Sequence, residues 1–134
     1  MTSYLLDTNH AAKIMASEEQ IQNLIVRQAQ KGDLFFTCVI VLGELYFAAH
    51  ASSRRAFNLR NIENLLAHIP MLDFDRAAAE EYGRIKAELK AKGRPIPGTD
   101  AQIAAIARLH GLTILSADRH FRFVDGLTVE NWLG

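Results

Sequence analysis

The sequence predicts an α/β fold, a three-layer sandwich in which a central, mostly parallel sheet of four to five strands carries helices on both faces. Three observations lead there. Short apolar runs alternate with helix-length amphipathic segments along the chain, the pattern of parallel strands joined by helical crossovers. Two of these runs, Tyr4-Leu5-Leu6 and Leu112-Thr113-Ile114-Leu115, break off into polar groups, Asp7-Thr8-Asn9 and Ser116-Ala117-Asp118. The 134 residues form one domain spanning 1–134, enough to bury roughly two-thirds of the surface of the unfolded chain, and no repeat or linker divides them.

Taken in order, Tyr4–Leu6 is a buried strand that delivers Asp7 to the sheet edge, and a short helix follows Asn9. Ser17-Glu18-Glu19-Gln20 has the form of a capping box opening a second helix, with Ile21, Leu24, Ile25 and Ala29 as its apolar stripe and Gly32 as its stop. Leu34-Phe35-Phe36 reads as the second strand, and Thr37 is placed to cap the next helix, Cys38 to His50. Val39, Ile40, Val41, Leu42, Leu45, Tyr46 and Phe47 make that helix apolar nearly all round, so both the core and a partner should cover it. Glu44 lies in its middle. After the basic turn Ser52-Ser53-Arg54-Arg55 comes an amphipathic helix marked by Phe57, Ile62, Leu65 and Leu66.

Met71-Leu72-Asp73-Phe74 is the third strand, and Asp75 caps a long helix to about Lys92 with Ala78, Tyr82, Ile85 and Leu89 on its apolar side. Its cationic end, Lys90, Lys92 and Arg94, complements the helix dipole as well as it would a phosphate. Gly93-Arg94-Pro95-Ile96-Pro97-Gly98 is a loop, Thr99 is placed to cap a helix from Asp100 to His110, and Gly111 closes it. Leu112–Leu115 is the fourth strand, and Leu127-Thr128-Val129 offers a fifth.

Fifteen basic residues balance fifteen acidic ones, so net charge gives no argument for a polyanion partner, and any such site must be a local patch. A narrow groove of that kind predicts a shallow dependence of binding on salt. Cys38, the single cysteine, sits in an apolar run and reads as a core thiol in a reducing compartment. No signal-like segment or membrane-length apolar stretch is present, and the expected location is the cytoplasm.

The chemistry lies in the acids. Asp7 and Asp118 end strands, Asp100 begins a helix, and Glu44 sits among Ile40, Val41, Leu45 and Ala48 with no basic partner on its helical face. In open α/β sheets ligands bind beyond the carboxyl ends of the strands, where strand order reverses. Four acids converging there would raise one another's pKa values, and a divalent ion would reverse that. Oxygen ligands select hard ions, Mg2+ or Mn2+, and no histidine pair has helical metal spacing. Each acid also has a structural reading: helix cap for Asp7, Asp100 and Asp118, solvent-reaching or partner-satisfied side chain for Glu44. No glycine-rich phosphate loop appears, and neither Ser116 nor Cys38 has a histidine at nucleophile spacing.

In order along the chain, Leu6-Asp7-Thr8-Asn9, Gly43-Glu44-Leu45, Gly98-Thr99-Asp100 with Ile103-Ala104-Ala105, and Ser116-Ala117-Asp118 with His120-Phe121 resemble the PIN-domain nucleases, specifically VapC-type toxins of bacterial toxin–antitoxin pairs. Tyr82-Gly83-Arg84-Ile85, Pro95-Ile96-Pro97 and the ending Val129-Glu130-Asn131-Trp132-Leu133 resemble the branch that cuts initiator tRNA. The resemblance implies a PIN-like fold and a metal-dependent endoribonuclease acting on structured RNA such as tRNA. It implies an acidic quartet of Asp7, Glu44, Asp100 and Asp118, with Asp7 and Asp100 as direct Mg2+ ligands and Thr8 and Ser116 as supporting hydroxyls. It also implies a homodimer and a cognate VapB-type antitoxin whose tail covers the site. Arg54, Arg55, Arg84, Lys86 and Arg94 are the candidate contacts to the RNA backbone. The tRNA-cutting branch often carries threonine and asparagines where this chain has Ser116, Ala117 and Asp118, which bears on substrate choice.

Overall fold

The computed structural model of the protein describes residues 1–16 and 18–133. Five strands, β1 (Ser3–Leu6), β2 (Leu34–Cys38), β3 (Met71–Leu72), β4 (Thr113–Leu115) and β5 (Val129–Glu130), form one sheet in the order β3-β2-β1-β4-β5. Every pairing is parallel. Six helices join them: α1 (Thr8–Met15), α2 (Glu19–Gln30), α3 (Val39–Ala51), α4 (Arg55–His68), α5 (Arg76–Ala91) and α6 (Gly98–His110), followed by a 3-10 turn, Arg119–Phe123. The chain steps outward from β1 through β2 to β3, then returns to the far side of β1 for β4 and β5. Since parallel crossovers are right-handed, α1 to α4 cover one face and α5 and α6 the other. The reversal of strand order at β1 opens a crevice at the carboxyl ends of β1 and β4.

The expected α/β sandwich is therefore the fold, and its strands are apolar because both faces are covered. Leu5, Leu6, Ile114 and Leu115 are fully buried, packed with Val41, Ile62, Ile85, Ile103, Ile106 and Phe121. Trp132, beyond β5, lies edge-on to Tyr4 at 4.9 Å and to Phe35 at 5.9 Å between ring centres. Among the helices, α3 departs most from an amphipathic pattern: Val41, Leu45 and Ala49 face the core while Phe47 stands 75% exposed.

Several local expectations are corrected. Thr37 caps nothing; it ends inside β2, where its hydroxyl donates to the Leu6 carbonyl at 3.0 Å and ties β2 to β1. A β-branched residue next to a buried strand end is held better by the ladder than by a cap. Thr99 lies inside α6, which starts at Gly98 with Pro97 in the N-cap position, so Asp100 belongs to the first helical turn. Glu18 occupies the N-cap position of α2 without a side-chain bond, and Ser17, the first residue of the expected capping box, lies outside the described residues. The third strand stops at Leu72, short of Asp73 and Phe74. Asp75 does cap α5, accepting from the Ala78 amide at 2.9 Å, and Gly111 closes α6 at φ 67°, a conformation glycine adopts without a Cβ clash.

Arg108 of α6 fastens the second face. Its guanidinium donates to Glu81 and Glu88 of α5, each at 2.9 Å, and to the Asp125 carbonyl at 3.2 Å. Glu81 is only 13% exposed, and the Arg108 bonds hold its carboxyl below the usual range. Arg108→Ala leaves that carboxylate short of its partner, and we expect a loss of roughly 2 kcal/mol in urea unfolding, a value reduced from the fully buried case by the exposure of Glu88.

Candidate active site

The β1–β4 ladder places the first pair of site residues. It continues one step past β1, the Asp7 amide donating to the Leu115 carbonyl at 3.0 Å, so Asp7 lies beside the end of β4. Its carboxylate Oδ2 accepts the Ser116 hydroxyl at 2.6 Å. Asp7 stands in the N-cap position of α1, yet its side chain makes no capping bond to the helix. The capping interpretation of Asp7 thus fails, because the carboxylate is held towards the crevice. Ser116 also accepts from the Asp118 amide at 3.0 Å, which shapes the exit of β4.

Glu44 reaches the same place from α3. Its Oε1 accepts the Thr8 hydroxyl at 2.7 Å, and the side chain is half-buried. Asp100 comes from the first turn of α6 and Asp118 from the start of the 3-10 turn, where Asp118 does act as a cap, accepting from the His120 amide at 2.9 Å. His120 then turns its ring back: Nδ1 lies 2.9 Å from Asp100 Oδ2 and 3.0 Å from Asp118 Oδ1. The sequence reading missed His120 because it sought histidine pairs at helical spacing. The available signal was a histidine two residues after a strand-end aspartate.

The electrostatics tie the four acids together. Burial pushes the Asp7 carboxyl above its ordinary range, opposed by the Ser116 hydroxyl and the Thr8 amide and reinforced by the charges of Glu44 and Asp118. Burial likewise raises Asp100 to about 6; the bond from His120 opposes this, and Asp118 and Asp7 add to it. Among the described residues no lysine or arginine pairs with Asp7, Glu44, Asp100 or Asp118, and His120 is their one ion-pairing neighbour. Asp7 and Asp100, whose ionised forms are disfavoured, stand beside two further acids without a fixed lysine or arginine among the described residues, and such a set suits a divalent ion, which favours the ionised forms. Cys38 takes no part: burial raises its thiol to about 11, so it stays protonated in the core.

Ser116 is the hinge of this arrangement, since one hydroxyl serves both Asp7 and Asp118. Ser116→Ala removes the donor to a buried carboxylate, and we expect activity to fall at least about tenfold with the fold retained, read by cleavage rate beside circular dichroism.

The candidate backbone contacts separate. Arg94 lies over the Phe123 ring at 5.0 Å, and that ring tilts against His120 at 6.5 Å, so two contacts link Arg94 to the histidine beside the acids. Arg84 is engaged with Glu81 at 2.9 Å. Arg54 sits over Phe57 at 4.0 Å, and Arg55 donates to the His50 carbonyl, both at the α3–α4 turn. Lys86 lines a shallow groove with Pro95 and Ile96. The acids themselves line none of the larger concavities; one of about 490 Å3 lies between α1, α2 and α4, walled by Ile14, Met15, Ile25, Val26, Leu65 and Ile69.

Known proteins share this arrangement of chain and fold. The PIN domain family matches residues 4–127. A tRNA(fMet)-specific endonuclease VapC of Shigella flexneri is 36% identical over 137 residues, covering 98% of this chain and 99% of that protein. Ribonuclease VapC2 of Haemophilus influenzae is 34% identical over 134 residues, 99% of this chain and 100% of its own. A chain of the Rickettsia felis VapBC2 complex, solved with a DNA fragment from its promoter, superposes with a TM-score of 0.90 at 26% identity, over 98% of this chain and 99% of that one. With its strand order, its strand-end acids and these relatives, the chain belongs to the PIN-domain family, among the VapC-type ribonucleases of toxin–antitoxin systems.

Proposed function

We propose that the protein hydrolyses a phosphodiester bond in structured RNA, with tRNA as the substrate class, using Mg2+ or Mn2+ held by Asp7 and Asp100 with help from Glu44 and Asp118. The observation that carries this reading is the gathering of four acids from β1, α3, α6 and the end of β4 at the switch point, without a lysine or arginine to neutralise them. A divalent ion in such a set supplies Lewis acidity for water attack and for the leaving oxygen.

The chain's own residues do the positioning. Ser116 holds Asp7 in one orientation, and Thr8 does the same for Glu44, so that the two acids lose little freedom when a ligand arrives. In this reading Arg94, over the Phe123 ring, holds a phosphate of the RNA. The tRNA assignment rests on the relatives named for it, while Ser116-Ala117-Asp118 departs from the threonine and asparagines that the resemblance to the tRNA-cutting branch leads one to expect.

A VapB-type antitoxin is the proposed partner and restraint, and structural neighbours of this chain come from VapBC complexes. The apolar groove between α1, α2 and α4 and the exposed rings of Phe47 (75%) and Phe57 (42%) supply surface for the antitoxin and for a second subunit. Among the described residues no helix is long and apolar enough to cross a membrane.

The test is cleavage of total cellular RNA by purified, antitoxin-free protein, with Mg2+, with Mn2+ and with EDTA. Discrete fragments that need metal are expected, with tRNA among the substrates identified by end mapping. A folded protein that leaves RNA intact across metals would instead be a binding partner within its toxin–antitoxin pair.

A further inference from the structure

We propose that His120 is a further protein ligand, adjoining Asp100 and Asp118, giving this chain a mixed imidazole–carboxylate metal site that favours Mn2+ over Mg2+. The inference rests on the metal-dependent reading above and goes beyond it in naming a nitrogen donor and the ion it selects.

The geometry is that of a coordination shell. One ligand atom each from Asp100, Asp118 and His120 lies within 4.8 Å of the others. His120 Nδ1 is 2.9 Å from the Asp100 oxygen and 3.0 Å from the Asp118 oxygen. In the metal-free protein both nitrogen–oxygen distances are hydrogen-bond lengths. The ligand atoms of an octahedral ion with bonds of ~2.1 Å stand about 3.0 Å apart, so an ion can replace the ring proton between the two acids with little movement of the side chains.

The ring is held where it is by the backbone. Asp118 caps the 3-10 turn through the His120 amide at 2.9 Å, Phe121 is fully buried and anchors the turn, and the Phe123 ring tilts against the imidazole at 6.5 Å. His120 remains 42% exposed, which leaves room for water ligands on its open side. A surface salt bridge between a histidine and one acid is common; a single nitrogen set at equal reach from two acids that arrive from α6 and from the end of β4 is a convergence of independent chain segments. Imidazole nitrogen binds first-row transition ions better than it binds Mg2+, and two carboxylates keep the site hard enough for Mn2+.

The experiment is electron spin echo spectroscopy of tag-free protein loaded with one equivalent of Mn2+, before and after selective 15N-histidine labelling. A nitrogen modulation that changes with the label and disappears in His120→Ala is expected. Calorimetric titration should show Mn2+ affinity falling about tenfold in His120→Ala and Mg2+ affinity falling less than about threefold. Mn2+ bound in a manner that Asp100→Asn abolishes, but with no histidine nitrogen modulation in the wild type, overturns the role of His120 and leaves the carboxylate reading standing. Absence of any stoichiometric Mn2+ binding overturns both. Because the spectrum is read on the wild-type protein, a poorly folded variant does not blunt the test.

Discussion

Asp7→Asn and Asp100→Asn are each expected to cut metal-dependent RNA cleavage by roughly a hundred- to a thousandfold, while making the metal-free protein harder to unfold. The two effects share one cause. Asp7 is buried and Asp100 half-buried beside other acids, and their carboxyls lie above the ordinary range, Asp100 at about 6 against 3.8. A carboxyl whose folded pKa is raised contributes stability fully below its unfolded value and loses it as pH rises through the folded value. For Asp100 that window runs from 3.8 to about 6, and the loss is on the order of 3 kcal/mol. At pH 7.5 in EDTA, Asp100→Asn should therefore show a higher denaturation midpoint than wild type. Added Mn2+ should raise the wild-type midpoint and leave that of Asp100→Asn nearly unmoved. A variant that loses both activity and metal-free stability would show that Asp100 is a structural acid instead.

Acid stability should expose a second buried group. His10 is fully buried on α1, its Nε2 accepting the Trp132 amide at 3.1 Å and its Nδ1 donating to the Asn9 side-chain oxygen at 2.8 Å. Burial lowers it from 6.5 to about 4, so it stays neutral, and a second ring proton would face the Trp132 N–H. The unfolded chain binds that proton first. Its contribution is thus complete above pH 6.5 and is lost as pH falls towards 4, again on the order of 3 kcal/mol.

In the metal-free protein the His10 and Asp100 contributions run in opposite directions over nearly the same window. Asp7, also raised by burial, acts in the same direction as Asp100. In EDTA, Asp100→Asn should accordingly shift the profile of urea midpoint against pH towards a rise between pH 4 and pH 6, and His10→Gln should shift it towards a fall. Parallel profiles for all three proteins would exclude this balance. The Asn9 oxygen also accepts the Ala117 amide at 3.4 Å, so His10 joins the chain's last strand region to the rim of the site.

The relation of sequence to structure is clearest at the strand ends. Apolar runs that stop at Asp7 and at Ser116-Ala117-Asp118 announced both the parallel sheet and its reactive edge, since a strand buried on both faces must be apolar until it leaves the core. Asp75 and Gly111 were legible as helix stops and starts because caps are local bonds between residues near in sequence. Thr37 and Thr99 were misread for the same reason: their neighbours along the chain suit a cap, while the bond Thr37 makes is to Leu6, 31 residues away. That Glu44 carries no basic partner on its own helix was visible in the sequence, but its bond to Thr8 was not.

The sequence by itself determined the fold class, the choice of four candidate acids and the lack of a basic partner on the helical face of Glu44, because these follow from periodicity and residue type. Only the tertiary structure decided that strand order reverses at β1, that Ser116 and not a helix holds Asp7, and that His120 stands between Asp100 and Asp118. Those facts depend on the β1–β4 register and on the course of one 3-10 turn, which set side chains up to 109 residues apart within hydrogen-bond reach. Local patterning carries no information about such distances, and packing of the whole sheet fixes them.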